Sequence, residues 1–265
     1  MRWNARFAFA VSIVMMSSTA ATADETDEYT KVDWPLSVIE RPLTLAGGMF
    51  EARGDTYLLE LSDGVAGDAM SIAPDLYYGI NSQFTVGVTH DRGFCFAGDL
   101  CDPTYNDVGV EALYGLMRGG NLQFAVLGGL QFPAFDPNFG AGLNFGALAR
   151  LNVGKVAVRV EPKLYVGVVG RDDVRKETLF LPGEIQVQLN NQTNVFLRSG
   201  VEGPLDGFGD AFAVPVGLGA TFAINNRLDI GAEFRFTNLL GKDLAAGFEA
   251  GADGRLLIGR FALRL

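Results

Sequence analysis

The sequence predicts an all-β protein, a transmembrane antiparallel up-and-down β-barrel of about twelve strands. Three observations predict it. Long stretches alternate apolar and polar residues with a period of two. Tight turns and longer links alternate along the chain. The N-terminus has the pattern of an export signal, and no later apolar run is long enough for a membrane-crossing helix.

Composition removes other classes. Hydrophobic residues are 48 % of the 265 and charged residues 20 %, which excludes a disordered polymer and a helical membrane bundle. Thirty-one acidic side chains against 21 basic ones give a net charge of −10, which speaks against a nucleic-acid partner. His90 is the single histidine, so histidine-cluster metal sites are excluded.

Residues 1–23 read as a signal peptide. Arg2 and Arg6 give a positive start, Phe7 to Met16 is a short apolar core, and Ala21-Thr22-Ala23 is a small-residue cleavage site. A membrane anchor would need about 20 apolar residues in a row. Residues 24–47 form an extended leader, acidic at first (Asp24, Glu25, Asp27, Glu28) and then marked by Trp34-Pro35 and Arg41-Pro42. Its composition does not decide whether it hangs outside the barrel or enters the lumen.

The barrel is expected to occupy residues 48–265. Its clearest strand lies between Lys155 and Val168, where Val156, Val158, Val160, Leu164, Val166 and Val168 alternate with Lys155, Ala157, Arg159, Glu161, Lys163 and Tyr165. The same reading gives strands near 48–62, 69–80, 83–91, 104–118, 121–132, 139–151, 155–169, 178–190, 192–202, 211–223, 227–240 and 253–265. Pro74, Pro162, Pro182 and Pro215 fall inside them and predict bulges or strand ends that project beyond the membrane.

Asn81-Ser82, Gly119-Gly120, Asn152-Val153-Gly154, Asn190-Asn191 and Asn225-Asn226 are tight turns, built from residues that tolerate positive φ. Between them lie the longer links 63–68, 92–103, 133–138, 171–177, 203–210 and 241–252. Link 92–103 carries Cys95 and Cys101, expected to form a disulfide in an exported chain. Asp91, Asp99 and Asp102 surround it, but solvated loop acids are commoner than calcium ligands, and no metal or cofactor is expected. A meander with one short-turn end and one long-loop end suits a bacterial outer-membrane barrel, with both termini on the periplasmic side. Strands of 10–14 residues point the same way, since soluble strands average about 5–6.

In a membrane barrel lipid sees the valines and the charges line the lumen. The acidic lumen candidates are Glu51, Asp75, Asp107, Glu111, Glu161, Glu184, Glu202, Asp229 and Glu233, and the basic ones Arg53, Arg150, Lys155, Arg159, Lys163, Arg198, Arg235, Arg260 and Arg264. Acids lie partly in 51–111 and bases gather in 155–264, so opposite walls should differ in sign. Such walls suit a water-filled pore that selects small hydrophilic solutes or ions. The same charges also suit a closed barrel filled by ion pairs. On this face assignment, arginine at Val158 or Val166 should be costly and arginine at Ala157 tolerated.

An enzyme would have to recruit His90, which shares the long-loop end with Ser71 and Asn106. Parity places His90 on the lipid face with Val86 and Val88, and Ser71 on the lumen face, so the set would point apart. No catalytic residue is therefore expected, and no nucleophile-elbow, zinc-protease or phosphate-loop spacing is present. Arg53-Gly54-Asp55, which spells an adhesion tripeptide, lies within a strand, and Asn191-Gln192-Thr193, a glycosylation sequon, lies at a tight turn.

With its signal peptide, its short-turn and long-loop rhythm and its final strand Arg255 to Leu265, the chain resembles the bacterial outer-membrane β-barrel, or porin-like, class over residues 48–265. The resemblance is architectural, and no specific porin family is matched by a motif. It implies a location in outer-membrane lipid and delivery by the barrel-insertion machinery. Barrels of this class commonly end in an aromatic residue that the machinery reads. This chain departs from that habit with Leu265, preceded by Phe261 and Leu263 on the same face.

Overall fold

The computed structural model describes residues 29–60, 70–97, 101, 103–242, 250–252 and 254–265. The expected signal peptide, the first acids of the leader, and Asp99 and Asp102 lie outside the described residues.

Fourteen strand segments make one sheet: β1 (Phe50–Glu60), β2 (Met70–Gly79), β3 (Phe84–Thr89), β4 (Phe94–Ala97), β5 (Val108–Met117), β6 (Leu122–Ala134), β7 (Gly140–Val153), β8 (Val156–Val160), β9 (Lys163–Val169), β10 (Thr178–Gln188), β11 (Thr193–Pro204), β12 (Val216–Ala223), β13 (Leu228–Phe236) and β14 (Arg255–Arg264). All pairings are antiparallel, each segment but β4 pairs with a neighbour in sequence, and β1 pairs with both β2 and β14, so the sheet closes on itself. Two positions around the ring are each shared by two segments. β3 and β4 both pair with β2, and β8 and β9 both lie between β7 and β10. The result is a closed twelve-stranded antiparallel barrel.

The face pattern is that of a barrel in lipid. Leu76, Val110, Val126, Val158, Ile185, Leu197, Leu218 and Phe234 are exposed on the outer surface. Glu51, Gln123, Arg150, Glu184, Asn194, Asp229 and Glu233 are buried on the inner one. A soluble protein would not present so continuous an apolar belt to water.

Prolines interrupt the ladder where they meet. Glu161-Pro162 separates β8 from β9 and lies beside Pro182 of β10, so neither proline offers an N–H across that pair. The Glu161 N–H donates to the Pro182 carbonyl, and Pro162 accepts from Ala147, which holds the break together. Pro74 is accommodated in register opposite Gly54, and Pro215 falls just before β12.

Three tight turns share one construction. The side-chain oxygens of Asn81, Asn190 and Asn225 each accept from the backbone N–H groups two and three residues on. This is the local bond that makes asparagine a turn former. At the opposite end, link 92–103 contains β4, which sequence periodicity left inside a loop. Cys95 and Cys101 are joined by a disulfide there.

Residues 29–49 enter the barrel at the short-turn end. Trp34, Leu45, Ala46 and Met49 are buried against the inward-facing Tyr77, Leu113, Ala125, Leu127 and Leu148. Short turns face the periplasm in this architecture. A thiol reagent applied to intact cells should therefore modify a cysteine introduced at Asp173, in a long link, and not one introduced at Asn226, in a tight turn. Modification at Asn226 would reverse the orientation.

Candidate functional site: the charged lumen

The strand register brings the charged residues together. Gln123 of β6, Arg150 of β7, Arg159 of β8, Glu184 of β10, Arg198 of β11, Gly217 of β12 and Arg235 of β13 are successive cross-strand partners. Four arginines thus follow one line across the inner wall with a single carboxylate among them. Like charges directly opposite each other destabilise a sheet unless acids intervene. The acids come from neighbouring positions on the same face.

Glu233 is the hub. Its fully buried carboxylate meets Arg235 at 2.7 Å, Arg260 at 2.5 Å and Arg198 at 3.6 Å. Gly217 makes the room, because a Cβ there would collide with the Glu233 carboxylate. Arg198 also holds Glu184 at 2.6 Å. Glu161 binds Arg159 at 2.8 Å and Lys163 at 2.7 Å, and Lys163 lies 3.9 Å from Glu111, which accepts from the Tyr77 hydroxyl. Glu51 is paired with Arg53 and, at 2.5 Å, with Arg264. Arg264 reaches Asp229 at 2.6 Å. Arg260 stands 3.6 Å from Asp55, an acid that the sequence reading had left out of the lumen set.

Around these groups lies a cavity of about 400 Å³. Arg53, Asp55, Asp75, Arg159, Glu161, Lys163, Arg198 and Arg260 face it from the wall, and Trp34, Arg41 and Leu43 from the N-terminal segment. The two signs of charge are not presented equally. Side chains of Glu51, Glu184, Asp229 and Glu233 are 8 % exposed or less, whereas those of Arg53, Arg159, Lys163 and Arg198 are 29 to 44 % exposed. Of the more open acids, Glu161 lies between β8 and β9 among the bases, whereas Asp55 and Asp75 belong to β1 and β2, five or six strand positions around the ring, where Arg53 stands opposite Asp75.

Some candidates sit elsewhere. Lys155 is exposed in the turn between β7 and β8. Asp107 accepts from the N–H groups of Arg92 and Gly93 and braces the bend between β3 and β4. Glu202 lies near the long-loop end of β11, where its backbone bridges to Ala213. Arg150 donates to Gln123 and to the Val38 carbonyl of the N-terminal segment.

The placement of His90 corrects the parity argument. The chain bends between β3 and β4 at Gly93, whose φ of +71° and close approach to Ile72 and Ala73 suit glycine. The bend carries the imidazole off the lipid face. Its Nδ1 lies 3.8 Å from Asp75 and its Nε2 is 3.2 Å from the Tyr105 hydroxyl. Asn106 is engaged by the backbone of Phe135 and Asp136. Ser71, His90 and Asn106 are therefore not drawn into one hydrolytic set.

No known protein family matches the chain, and neither does any curated protein. Solved structures do. The NanC porin aligns over 80 % of this chain and 97 % of its own, with a TM-score of 0.55 and 11 % identity. Omp33 of Acinetobacter baumannii aligns over 82 and 98 %, with a TM-score of 0.46 and 11 % identity. OmpF of Salmonella typhi aligns over 82 and 96 %, with a TM-score of 0.43 and 9 % identity. Identities this low speak for the fold alone. The closed ring, the outer apolar belt and the charged interior define the class, a porin-like β-barrel of the bacterial outer membrane.

Proposed function

We propose that the barrel is a narrow porin-like channel for passive passage of small hydrophilic solutes, with a preference for anions. One observation carries the reading. The carboxylates of Glu51, Glu184, Asp229 and Glu233 are withdrawn into the wall, while the heads of Arg53, Arg159, Lys163 and Arg198 are the more exposed charges at the cavity. Solute in the lumen therefore meets a basic surface, although the two signs are nearly balanced in number. Confined water screens charge less than bulk solution does, so a modest asymmetry sorts ions. The reading is non-enzymatic, with residues 48–265 as the barrel, outer-membrane lipid as its surroundings and the insertion machinery as its route there.

Reversal potentials in planar bilayers under a salt gradient test it. The wild type should favour anions, and the double variant Arg198→Gln/Arg235→Gln should shift toward cations. A wild type that passes no current, or a double variant with unchanged selectivity, overturns the reading. The dense pairing around Glu233 favours a closed structural barrel as the second reading, and the same recording separates the two.

A further inference from the structure

We infer that residues 29–41 are a displaceable plug across the short-turn mouth, latched by the pair between Arg41 and Asp229, and that its withdrawal sets how much the barrel conducts. The inference rests on the channel reading above.

The N-terminal segment makes two kinds of contact. From Thr44 onward it is anchored next to its own strand. Thr44 donates to the Ser82 carbonyl, Leu45 N–H to the Thr85 hydroxyl, and Gly48 and Met49 share backbone bonds with Gly79. Leu45, Ala46 and Met49 are buried in the apolar cluster. Upstream, the chain crosses to the far wall. Val38 N–H donates to Gln188, Arg150 and Asn152 donate to the Val38 and Ile39 carbonyls, and Asn226 donates to the Val32 carbonyl. Arg41 adds an ion pair, with both terminal nitrogens on Asp229 at 2.5 and 2.9 Å.

The far wall keeps partners without the plug. Asp229 retains Arg264 at 2.6 Å, Arg150 retains Gln123 at 2.8 Å, and Gln188 retains the Asn190 carbonyl at 2.7 Å. Breaking a buried pair is costly when it strands a charge. Here the carboxylate left behind is still paired, and the departing guanidinium moves toward water. Apart from Trp34, buried in the cluster beside Leu45 and Met49, and the Asn152 bond to the Ile39 carbonyl, the crossing arm is held by polar contacts whose wall partners keep other bonds, while 44–49 are anchored beside β2 and β3.

Trp34 reports the position of the arm, since it is buried there and only one other tryptophan, Trp3, exists. In a Trp3→Phe background, Arg41→Gln should at least double the bilayer conductance and raise acrylamide quenching of Trp34 by a similar factor, with Arg41→Lys between it and the wild type. A second variant, Val38→Cys/Gln188→Cys, should conduct less when oxidised than when reduced, because the disulfide holds the arm down. Should Trp34 stay protected in Arg41→Gln, and oxidation leave the current of the cysteine pair unchanged, the plug is overturned and a conducting wild type leaves the channel reading standing. Trp34 set free with no current in any variant overturns both.

Discussion

Glu233→Gln is expected to lower the stability of the folded barrel by about 3 kcal/mol, because it removes a fully buried carboxylate that is the shared partner of three half-buried arginines. Glutamine keeps the shape, so the space above Gly217 stays filled and the loss is one of charge. Arg198 still has Glu184, and Arg260 still has Asp55 at 3.6 Å. Arg235 loses the carboxylate that it meets at 2.7 Å. Urea unfolding of barrels in lipid vesicles should show the decrease, and the heat-resistant folded band on a gel should melt at lower temperature. Glu161→Gln is the control. Its two cationic partners are about a third exposed, and such pairs are worth about 1 kcal/mol or less. Equal losses for the two variants would remove Glu233 from the centre of the network.

Val158→Arg is expected to cost about 2–4 kcal/mol if that outward position lies near the bilayer midplane. Thr221→Arg, on the inner face and against the cavity, should cost about 1 kcal/mol or less, since a charge there joins other charges in water. Equal penalties, or the reverse order, would mean that the apolar face does not meet lipid. Ala157, the inward site that alternation alone would choose for this comparison, does not serve. It points inward as expected, but it is fully buried at the mouth of the barrel, and an arginine side chain would have to displace its neighbours.

The strands and their faces were legible because membrane strands are long and each hydrophobic choice repeats every second residue. Val156, Val158 and Val160 against Arg159 separate the two faces, and strand length, the export signal and the turn rhythm say which of them meets lipid. The turns were legible because Asn81, Asn190 and Asn225 act within their own few residues. Positions set by distant contacts were not. The lumenal seat of the N-terminal segment depends on Leu45 meeting Thr85 and on Arg41 meeting Asp229, 188 residues away. One signal was present. Leu113, Leu127 and Leu148 stand on the polar face of their strands, where a water-filled lumen has no use for leucine, and Trp34, Leu45 and Met49 are what they cover. His90 escaped because parity holds only while a strand continues, and β3 ends at Thr89. Lys155 escaped because one residue decides whether a position closes a strand or opens a turn.

The strand order has a consequence for how the molecule comes into being. With β3 and β4 sharing one place in the ring and β8 and β9 another, every pairing between places but one joins neighbours in sequence, and several of these hairpins start from turns that asparagine presets. The pairing of β1 with β14 alone joins the two ends of the sheet, and its loop-closure cost grows only slowly with the length between them. Phe50 and Leu265 exchange both backbone bonds at that junction, while Arg264 ties Glu51 to Asp229. The Phe50–Leu265 bonds and the Glu51–Arg264 pair require the first and last strands together, so a growing, open sheet lacks them, whereas the Arg264–Asp229 pair can already form between β13 and β14. The barrel is built like a zip with one clasp: assembly proceeds hairpin by hairpin along a curling ribbon, and the link from Arg264 to Glu51 at the seam forms at the instant of closure. Unfolding from the lipid should begin by parting that same seam, which makes Arg264 a residue of kinetic persistence as well as of the lumen wall.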